Sequence, residues 1–191
     1  MERKEGSHMD EITELKTQAE DLNVSDEHDA QKGKYMTFKS GNEYYGLKIQ
    51  YVNEIIGFQA ITAIPETDDY IKGLINLRGK IIPVIDVRLR FRQPPFEYDD
   101  RTCIIVIDVK STVVGLIVEK IAEVVEIREE NILPPPSIGR ADKVQNKYVY
   151  GIGKVGDSVK LLLDPDKLLN DEELSAIEQV GEKNKEEVEE K

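Results

Sequence analysis

The sequence predicts an all-β fold in which two similar small β-barrels follow one another along the chain. Short apolar segments with a period of two recur between residues 35 and 163, separated by Gly, Asn and Pro. One stretch, from Gly73 to Arg88, has the pattern of a β-hairpin, and two pairs of segments match each other as internal repeats do. Short strands at such close spacing favour barrels over βαβ units.

Most of the net charge lies at the two ends of the chain. Residues 1–34 hold 10 acidic and 5 basic side chains, and residues 171–191 hold 9 acidic and 3 basic. Because the whole chain has 38 acidic and 26 basic residues, the segment 35–170 is nearly neutral. We therefore expect disordered acidic tails and no nucleic-acid partner, and the tetrapeptide at residues 6–9 is typical of a tag remnant.

Apolar patterning and cysteine content indicate the compartment. No apolar run is long enough to span a bilayer, and the first residues lack the apolar region of a signal peptide, so we expect a cytoplasmic protein. Cys103 is the single cysteine and lies in an apolar run, which excludes a disulfide framework and favours a buried strand position.

The first barrel is expected over residues 35–98. After its second strand, a brief coil would bring Val52, Ile55 and Ile56 to one face and leave Glu54 outside. The other elements expected before the hairpin are strands at 35–40, 43–49 and 58–64, and a polar helical turn at 66–71.

The hairpin from Gly73 to Arg88 contains two apolar runs around a turn at residues 78–80. Gly79 can take the positive φ that a tight reversal requires, so the turn presents the Arg78 guanidinium on a stiff support. Pro83 lies within the second run and donates no ladder hydrogen bond. We therefore expect this strand at a sheet edge or with a bulge, with one flank open to a partner.

The second barrel is expected over residues 99–170. Just before it, three arginines between Arg88 and Arg92 form the single basic cluster of the body, which we interpret as solvated surface charge. The elements expected in this half are strands at 102–109, 112–118, 121–127, 148–152 and 159–163, a loop at 134–140, and a short C-terminal helix that starts at Asp164.

Two segments of the first half reappear in the second half. Glycine and acidic positions agree as well as apolar ones, which favours a true duplication over chance similarity between Val-rich and Ile-rich strands. Two such barrels would meet along a groove, and grooves of this kind accept helices or strands of partners. The matching positions are 46–56 with 115–125, and Gly73 and Asp86 with Gly151 and Asp164.

The body of the chain contains no arrangement of residues that predicts catalysis. The glycine run 151–156 matches a dinucleotide fingerprint, but a strand-like segment follows it instead of a helix, so we interpret it as part of a hairpin. Both histidines, His8 and His28, lie in the N-terminal tail. The adjacent acids at 99–100 and 129–130 would point to opposite faces of a strand. The residues favour binding over turnover, with no metal and no cofactor.

Residues 76–88 read Asn-Leu-Arg-Gly-Lys-Ile-Ile-Pro-Val-Ile-Asp-Val-Arg. In this motif the chain resembles the CheW family, the coupling proteins of bacterial chemotaxis, whose pattern is Asn-Leu-Arg-Gly, Ile-x-Pro-Val and Asp-Leu-Arg. Val87 replaces the usual Leu, which is a conservative departure. The resemblance extends over roughly residues 35–170 and includes Phe38 and the strand around Gly46.

This resemblance implies two tandem five-stranded SH3-like β-barrels and a non-catalytic adaptor. Such proteins couple the cytoplasmic tip of chemoreceptors to the histidine kinase CheA, through the CheW-like regulatory domain of the kinase, and so associate with membrane receptor arrays. The positions of this chain that match residues used by the family in receptor or kinase contact are Val52, Glu54, Gly73, Arg78 and Gly79. Val124 matches a position of the second barrel near the groove and completes the set of expected partner-binding residues.

Several alternatives stay open at this level. Arg78 either contacts a partner directly or pairs with a carboxylate such as Glu54 and holds the hairpin, and for Gly73 and Gly79 backbone geometry is favoured over contact. Within the family, the chain could be a CheV-like or kinase regulatory-domain fragment, although it contains neither a receiver module nor a kinase core. In other classes, it could be a small-ligand-binding β-barrel or a carboxylate-dependent enzyme, which a deep cavity lined by paired acids would favour.

Overall fold

The computed structural model describes residues 31–135 and 147–176. These residues form eleven β-strands, a short helix α1, and the start of a second helix, α2, at 171–176. The predicted tails, apart from their inner ends, and most of the predicted loop at 134–140 lie outside the described residues. The bounds are β1 Lys34–Ser40, β2 Glu43–Lys48, β3 Val52–Gly57, β4 Ile71–Leu77, β5 Lys80–Asp86, α1 Val87–Arg90, β6 Cys103–Val109, β7 Thr112–Val118, β8 Lys120–Glu126, β9 Ile132–Leu133, β10 Val149–Val155 and β11 Ser158–Leu163.

The strands form two sheets that each take strands from both halves of the chain. The first sheet has the order β8-β1-β2-β11-β10-β9, and the second has the order β3-β6-β7-β5-β4. The β1–β2 hairpin lies between β8 and β11, and the β6–β7 hairpin lies between β3 and β5. The fold is all-β with two barrel-like sheets, as predicted, although the first sheet has six strands instead of five. The boundary expected at residue 98 does not separate them, because each sheet needs the hairpin of the other half to complete its hydrogen bonding.

The predicted internal duplication is confirmed by equivalent pairings in the two sheets. In the first sheet, Gly46 of β2 lies opposite Leu162 of the parallel strand β11. In the second sheet, Gly115 of β7 lies opposite Val84 of the parallel strand β5. The register shifts also correspond, because β4 and β10 each carry one between their first and third residues. The two halves are therefore copies of one unit that pair crosswise.

The largest hydrophobic core takes side chains from both sheets. Along β6, Ile105 and Ile107 belong to this shared core, whereas Ile104 and Val106 belong to a separate core of the second sheet. All four side chains are buried, which explains why the sequence of β6 is a continuous apolar run. The first sheet has its own smaller core around Leu162.

Strand β3 differs from the coil predicted for this segment. It follows a 3-10 turn at Ile49–Tyr51, and exposure alternates along it. Val52 lies opposite Ile107, on the face of the shared core. After a register shift between Val52 and Glu54, Glu54 and Ile56 are half-buried on the opposite face, and Ile55 is exposed. The predicted coil, which grouped Val52, Ile55 and Ile56 on one face and left Glu54 outside, is wrong. Pairing with β6 makes this segment a strand, in which Ile55 and Ile56 point to opposite faces and Glu54 is half-buried beside Ile56.

The predictions for segment 58–64 and for Pro83 are also corrected. The segment forms only an isolated bridge between Thr62 and Leu74 instead of a strand. Strand β5 lies inside its sheet, between β4 and β7, so the flank that was expected to be open is occupied. Pro83 is tolerated because it pairs with Leu74 on one side, while the ladder to β7 begins only at Val84.

The arginine cluster after β5 is largely engaged inside the protein. The Asp86 carboxylate caps α1 by accepting hydrogen bonds from its first free backbone N–H groups. Arg88 then forms an ion pair with Glu119 at 2.6 Å, and Arg90 forms one with Glu173 at 3.0 Å. The Arg90 side chain is only 9% exposed. The predicted solvated surface is therefore wrong for these two arginines, whose partners lie far away in the sequence.

The helix predicted to start at Asp164 is divided in two. Asp164 caps a 3-10 turn at Pro165–Lys167, and α2 begins only at residue 171. A reciprocal pair of hydrogen bonds explains the new start. The Glu173 N–H donates to Asn170 Oδ1 at 2.8 Å, and the Asn170 N–H donates to Glu173 Oε2 at 2.7 Å. This arrangement is a capping box, which satisfies two backbone donors that would otherwise be free.

Crosswise pairing predicts a large difference between two glycine substitutions. A Cβ on Gly115 would lie 2.6 Å from Val84 Cγ1 and 2.8 Å from Ile104 Cγ2, whereas a Cβ on Gly57 would meet nothing within 4 Å. We expect Gly115→Ala to lower the free energy of unfolding by about 1–3 kcal/mol through overpacking, and Gly57→Ala to change it by less than about 1 kcal/mol. Urea unfolding followed by circular dichroism measures both. Equal effects would contradict the close β5–β7 approach.

Buried tyrosines predict a loss of stability at alkaline pH. Burial, with a smaller contribution from Glu43, raises the pKa of Tyr45 from 10.0 to about 12. Because the folded state favours the protonated phenol, the contribution of Tyr45 to stability is complete below pH 10.0 and is lost as pH rises toward about 12. The measurement follows tyrosinate absorbance and the unfolding midpoint together from pH 10.0 to about 12. Tyr45→Phe should reduce the loss, and an unchanged pH profile in that variant would contradict the assignment.

Candidate partner-binding site

The hairpin tip at Arg78 has a tight backbone turn. Arg78 and Gly79 have φ angles of 54° and 85°, as the two-residue loop of a type I′ hairpin requires. Asn76 braces the loop, because its Oδ1 accepts a hydrogen bond from the Gly79 N–H at 2.8 Å. The turn therefore fixes the backbone of Arg78 while 74% of its side chain stays exposed.

The Arg78 guanidinium forms a bidentate ion pair with the Glu54 carboxylate. Nη1 lies 2.9 Å from Oε1, and Nη2 lies 2.7 Å from Oε2. Glu54 belongs to β3 at one edge of the second sheet, and Arg78 follows β4 at the other edge, so the pair connects the two edges. The structure thus contains the Glu54 pairing that the sequence left open, and it leaves most of the Arg78 side chain accessible.

Gly73 and Gly79 have backbone roles of different kinds. Gly73 is buried with a φ of 135°, and a Cβ there would lie 2.0 Å from the carbonyl oxygen of Thr62. That oxygen also accepts a hydrogen bond from the Leu74 N–H at 2.8 Å, so no side chain fits between the two segments. Around Gly79, a Cβ would meet nothing within 4 Å, and only the positive φ of 85° favours glycine.

The two valines among the predicted site residues lie in different environments. Val52 is half-buried and packs against the core that the two sheets share. Val124 is 50% exposed on β8, at one edge of the first sheet. The structure therefore brings Glu54 and Arg78 together, with Gly79 beside them, and places Val124 on the other sheet.

Two exposed apolar side chains near Glu54 were missed by the sequence analysis. Ile55 is 39% exposed and Phe58 is 38% exposed. Ile55 is the repeat counterpart of Val124, so the two sheets expose an apolar side chain at the same position of an edge strand. Phe58 contacts the Tyr98 ring, with 4.6 Å between centroids. The repeat alignment contained this signal, but the predicted coil turned Ile55 inward.

The features that the sequence raised as candidates for chemistry can be located in the structure. Among residues 31–135 and 147–176, no cluster of His, Cys, Asp and Glu could hold a metal ion. The glycine run 151–156 lies on β10 and in the turn after it, as interpreted from the sequence. Asp99 is exposed and accepts hydrogen bonds from the Arg101 side chain, which lower the pKa of that carboxyl. No helix of the described segments is long and apolar enough to cross a membrane.

Comparison with known proteins agrees with the motif at residues 76–88. Residues 34–173 match the CheW-like domain, which spans both sheets and the hairpin tip. The chain belongs to the CheW-like family. The match begins at the first residue of β1 and ends within the first turn of α2, so the family region includes every strand described above.

CheW relatives resemble this chain over most of their own length. Chemotaxis protein CheW of Klebsiella aerogenes is 38% identical over 147 residues, which cover 77% of this chain and 87% of that protein. Chemotaxis protein CheW of Treponema pallidum is 32% identical over 146 residues, covering 74% and 85%. The crystal structure of the scaffolding protein TtCheW from Thermoanaerobacter tengcongensis superposes with a TM-score of 0.67 at 38% identity, covering 74% of this chain and 96% of that one. CheW membership places the chain among chemotaxis scaffolding proteins and not among enzymes.

The exposure of the Glu54–Arg78 pair predicts a small contribution to stability. Double-mutant cycles with Glu54→Ala and Arg78→Ala should give a coupling of about 0.2–1 kcal/mol, because solvent screens an ion pair in which Arg78 is 74% exposed. The Arg90–Glu173 pair, with side chains 9% and 15% exposed, serves as the control and should give a larger coupling. Urea unfolding measures both cycles. A larger coupling energy for Glu54–Arg78 than for Arg90–Glu173 would mean that the Glu54–Arg78 pair mainly stabilises the fold.

Proposed function

We propose that this chain is a non-catalytic adaptor that couples chemoreceptors to the histidine kinase CheA in bacterial chemotaxis signalling. The observation that carries the proposal is the hairpin tip, where the family motif presents an accessible Arg78 paired with Glu54. An exposed ion pair of this kind orients a partner, because guanidinium and carboxylate groups form directional hydrogen bonds. Scaffolding relatives with the same fold support the signalling context.

Apolar burial for the partner would come from the surface beside the ion pair. Phe58 is exposed just after the edge strand β3, and Ile55 is exposed on the face of β3 opposite to Glu54. The resemblance implies a helical receptor tip, and a helix that lies along the edge of β3 buries its apolar face against Phe58 while its polar residues meet Glu54 and Arg78. Apolar anchors surrounded by charges are the usual anatomy of a specific interface.

Two partners at once require two separate surfaces, and the internal duplication supplies equivalent ones. Val124 on β8 is the counterpart of Ile55 on β3, and each lies beside a glutamate at an edge of its own sheet. We assign one partner, the CheW-like regulatory domain of CheA or the receptor tip, to each sheet. Repeated weak contacts of this kind gain avidity when many copies assemble at membrane receptor arrays.

Substitution of Arg78 tests the proposal most directly. In a reconstituted mixture of receptor fragments, CheA and this protein, Arg78→Ala and Arg78→His should weaken kinase activation, because the guanidinium that orients the partner is lost. Loss of an interface arginine typically costs about 2 kcal/mol, so Kd for the partner should rise by about thirtyfold. Titrations against a receptor-tip fragment and the kinase regulatory domain, separately and together, identify the partner affected.

Arg101→Ala is the matched control for this substitution. Arg101 is 71% exposed and forms an ion pair with Asp99, much as Arg78 does with Glu54, but it lies in the segment between α1 and β6. Activation should be unchanged in this control. Full activation by both Arg78 variants would remove Arg78 from the partner-binding site, and absence of binding to either partner by the unmodified protein would refute the adaptor role.

A further inference from the structure

A second surface lies at the opposite end of β4 from the hairpin tip. It is a groove of about 470 Å³ between the segment before β4 and the first turn of α2. Because β4 has seven residues, the groove and the tip are separated by about 20 Å along the strand. Apolar side chains contribute to its lining, together with Thr67 and four acidic residues. The apolar lining residues are Ile64, Ile71 and Ala176, and the acidic ones are Glu66, Asp68, Glu172 and Glu173.

The acidic residues of this groove are not balanced by cations of the lining. Of the four, Glu173 is engaged with Arg90, with the Tyr70 hydroxyl and with the Asn170 N–H. Glu66, Asp68 and Glu172 make no ion pair within 4.0 Å to another residue of the described segments. No Lys, Arg or His lines the groove. Its rim is therefore negative above a partly apolar floor.

Both walls of the groove are held by the rest of the fold. On the α2 side, the Arg90 guanidinium stacks on the Tyr70 ring at 4.2 Å, and Arg90 Nε donates to the Leu168 carbonyl at 2.6 Å. Arg90 also binds Glu173, which anchors the start of α2. On the other side, the Ile71 N–H donates to the Asp68 carbonyl at 2.9 Å. A preformed site of this kind loses little conformational entropy when it is occupied.

We propose that this groove docks a cationic amphipathic segment of a partner protein. An apolar floor under an acidic rim is complementary to a segment that carries apolar side chains on one face and Lys or Arg on the flanks. The C-terminal part of this chain is a poor match by charge, because residues 171–191 contain 9 acidic and 3 basic side chains. A second copy is equally poorly matched, since the formal net charge is −12 and its Arg88 and Arg90 are already paired.

Binding of a designed peptide to the full chain tests the proposal. The probe is a fluorescein-labelled helix of about 14 residues, four turns, with Leu on one face and Lys on the flanks. Fluorescence anisotropy should show binding that weakens with added salt. A second peptide with every Leu replaced by Gln has the same charge and should bind at least about tenfold more weakly, because it cannot use the apolar floor.

Charge reversal at the rim locates the binding site. The double variant Glu66→Lys with Glu172→Lys should weaken binding of the Leu–Lys peptide by about tenfold or more. Asp157→Lys with Glu43→Lys changes the net charge equally, at the β10–β11 turn and at the start of β2, and should keep the affinity of the unmodified protein within about threefold. Glu66→Gln with Glu172→Gln provides a milder version of the same change, with an intermediate loss.

Four outcomes would overturn the proposal. The first is equal binding by the rim and control double variants, since the peptide would then be attracted only by the net charge. The second is equal binding of the Leu and Gln peptides. The third is no binding to the unmodified protein. The fourth is sedimentation that shows self-association through the groove instead. Arg78→Ala should bind the peptide normally, so failure of the adaptor role and failure of this groove remain distinguishable.

Discussion

The exchange of hairpins between the two halves of the chain is the constraint on which the rest of the structure depends. Neither sheet is complete without two strands from the other half, and the largest core is built from side chains of both sheets. Strand β6 contributes to both cores, because Ile104 and Ile105 are neighbours in sequence and are buried in different cores. The two barrels are consequently one cooperative unit, although each has the pairing pattern of a small barrel.

This shared frame also determines what the partner-binding surface can be. Strand β3 lies at an edge of its sheet and pairs with β6, which fixes the face on which each of these side chains lies. Glu54 is directed toward Arg78 at the hairpin tip, and Ile55 is directed away from it. Gly73 lets the segment around Thr62 approach β4 closely, which supports the base of the same hairpin. An exposed ion pair and an apolar neighbour are thus placed on rigid elements, as recognition by an adaptor requires.

The same chemical pair has two different uses in this protein. Arg78 and Glu54 form an ion pair at the surface, where water screens the attraction and the charges remain available to a partner. Arg90 and Glu173 form one that is nearly enclosed, where stacking on Tyr70 and hydrogen bonds to the chain compensate for lost hydration. The first suits recognition, and the second attaches α2 to the fold.

The sequence by itself determined the all-β class, the hairpin at residues 73–88, the internal duplication and the family. The strands follow from the period of two in the apolar residues, and the hairpin turn follows from Arg78 and Gly79, which are adjacent in the sequence. The duplication follows from comparing the two halves of the sequence, where Gly46 matches Gly115. Only the tertiary structure decided which strands pair, and therefore that β5 is internal despite Pro83, that Ile55 faces outward, and that the Arg90 side chain is nearly enclosed. These outcomes depend on contacts between residues far apart in the chain, such as Arg90 with Glu173, which no local pattern encodes.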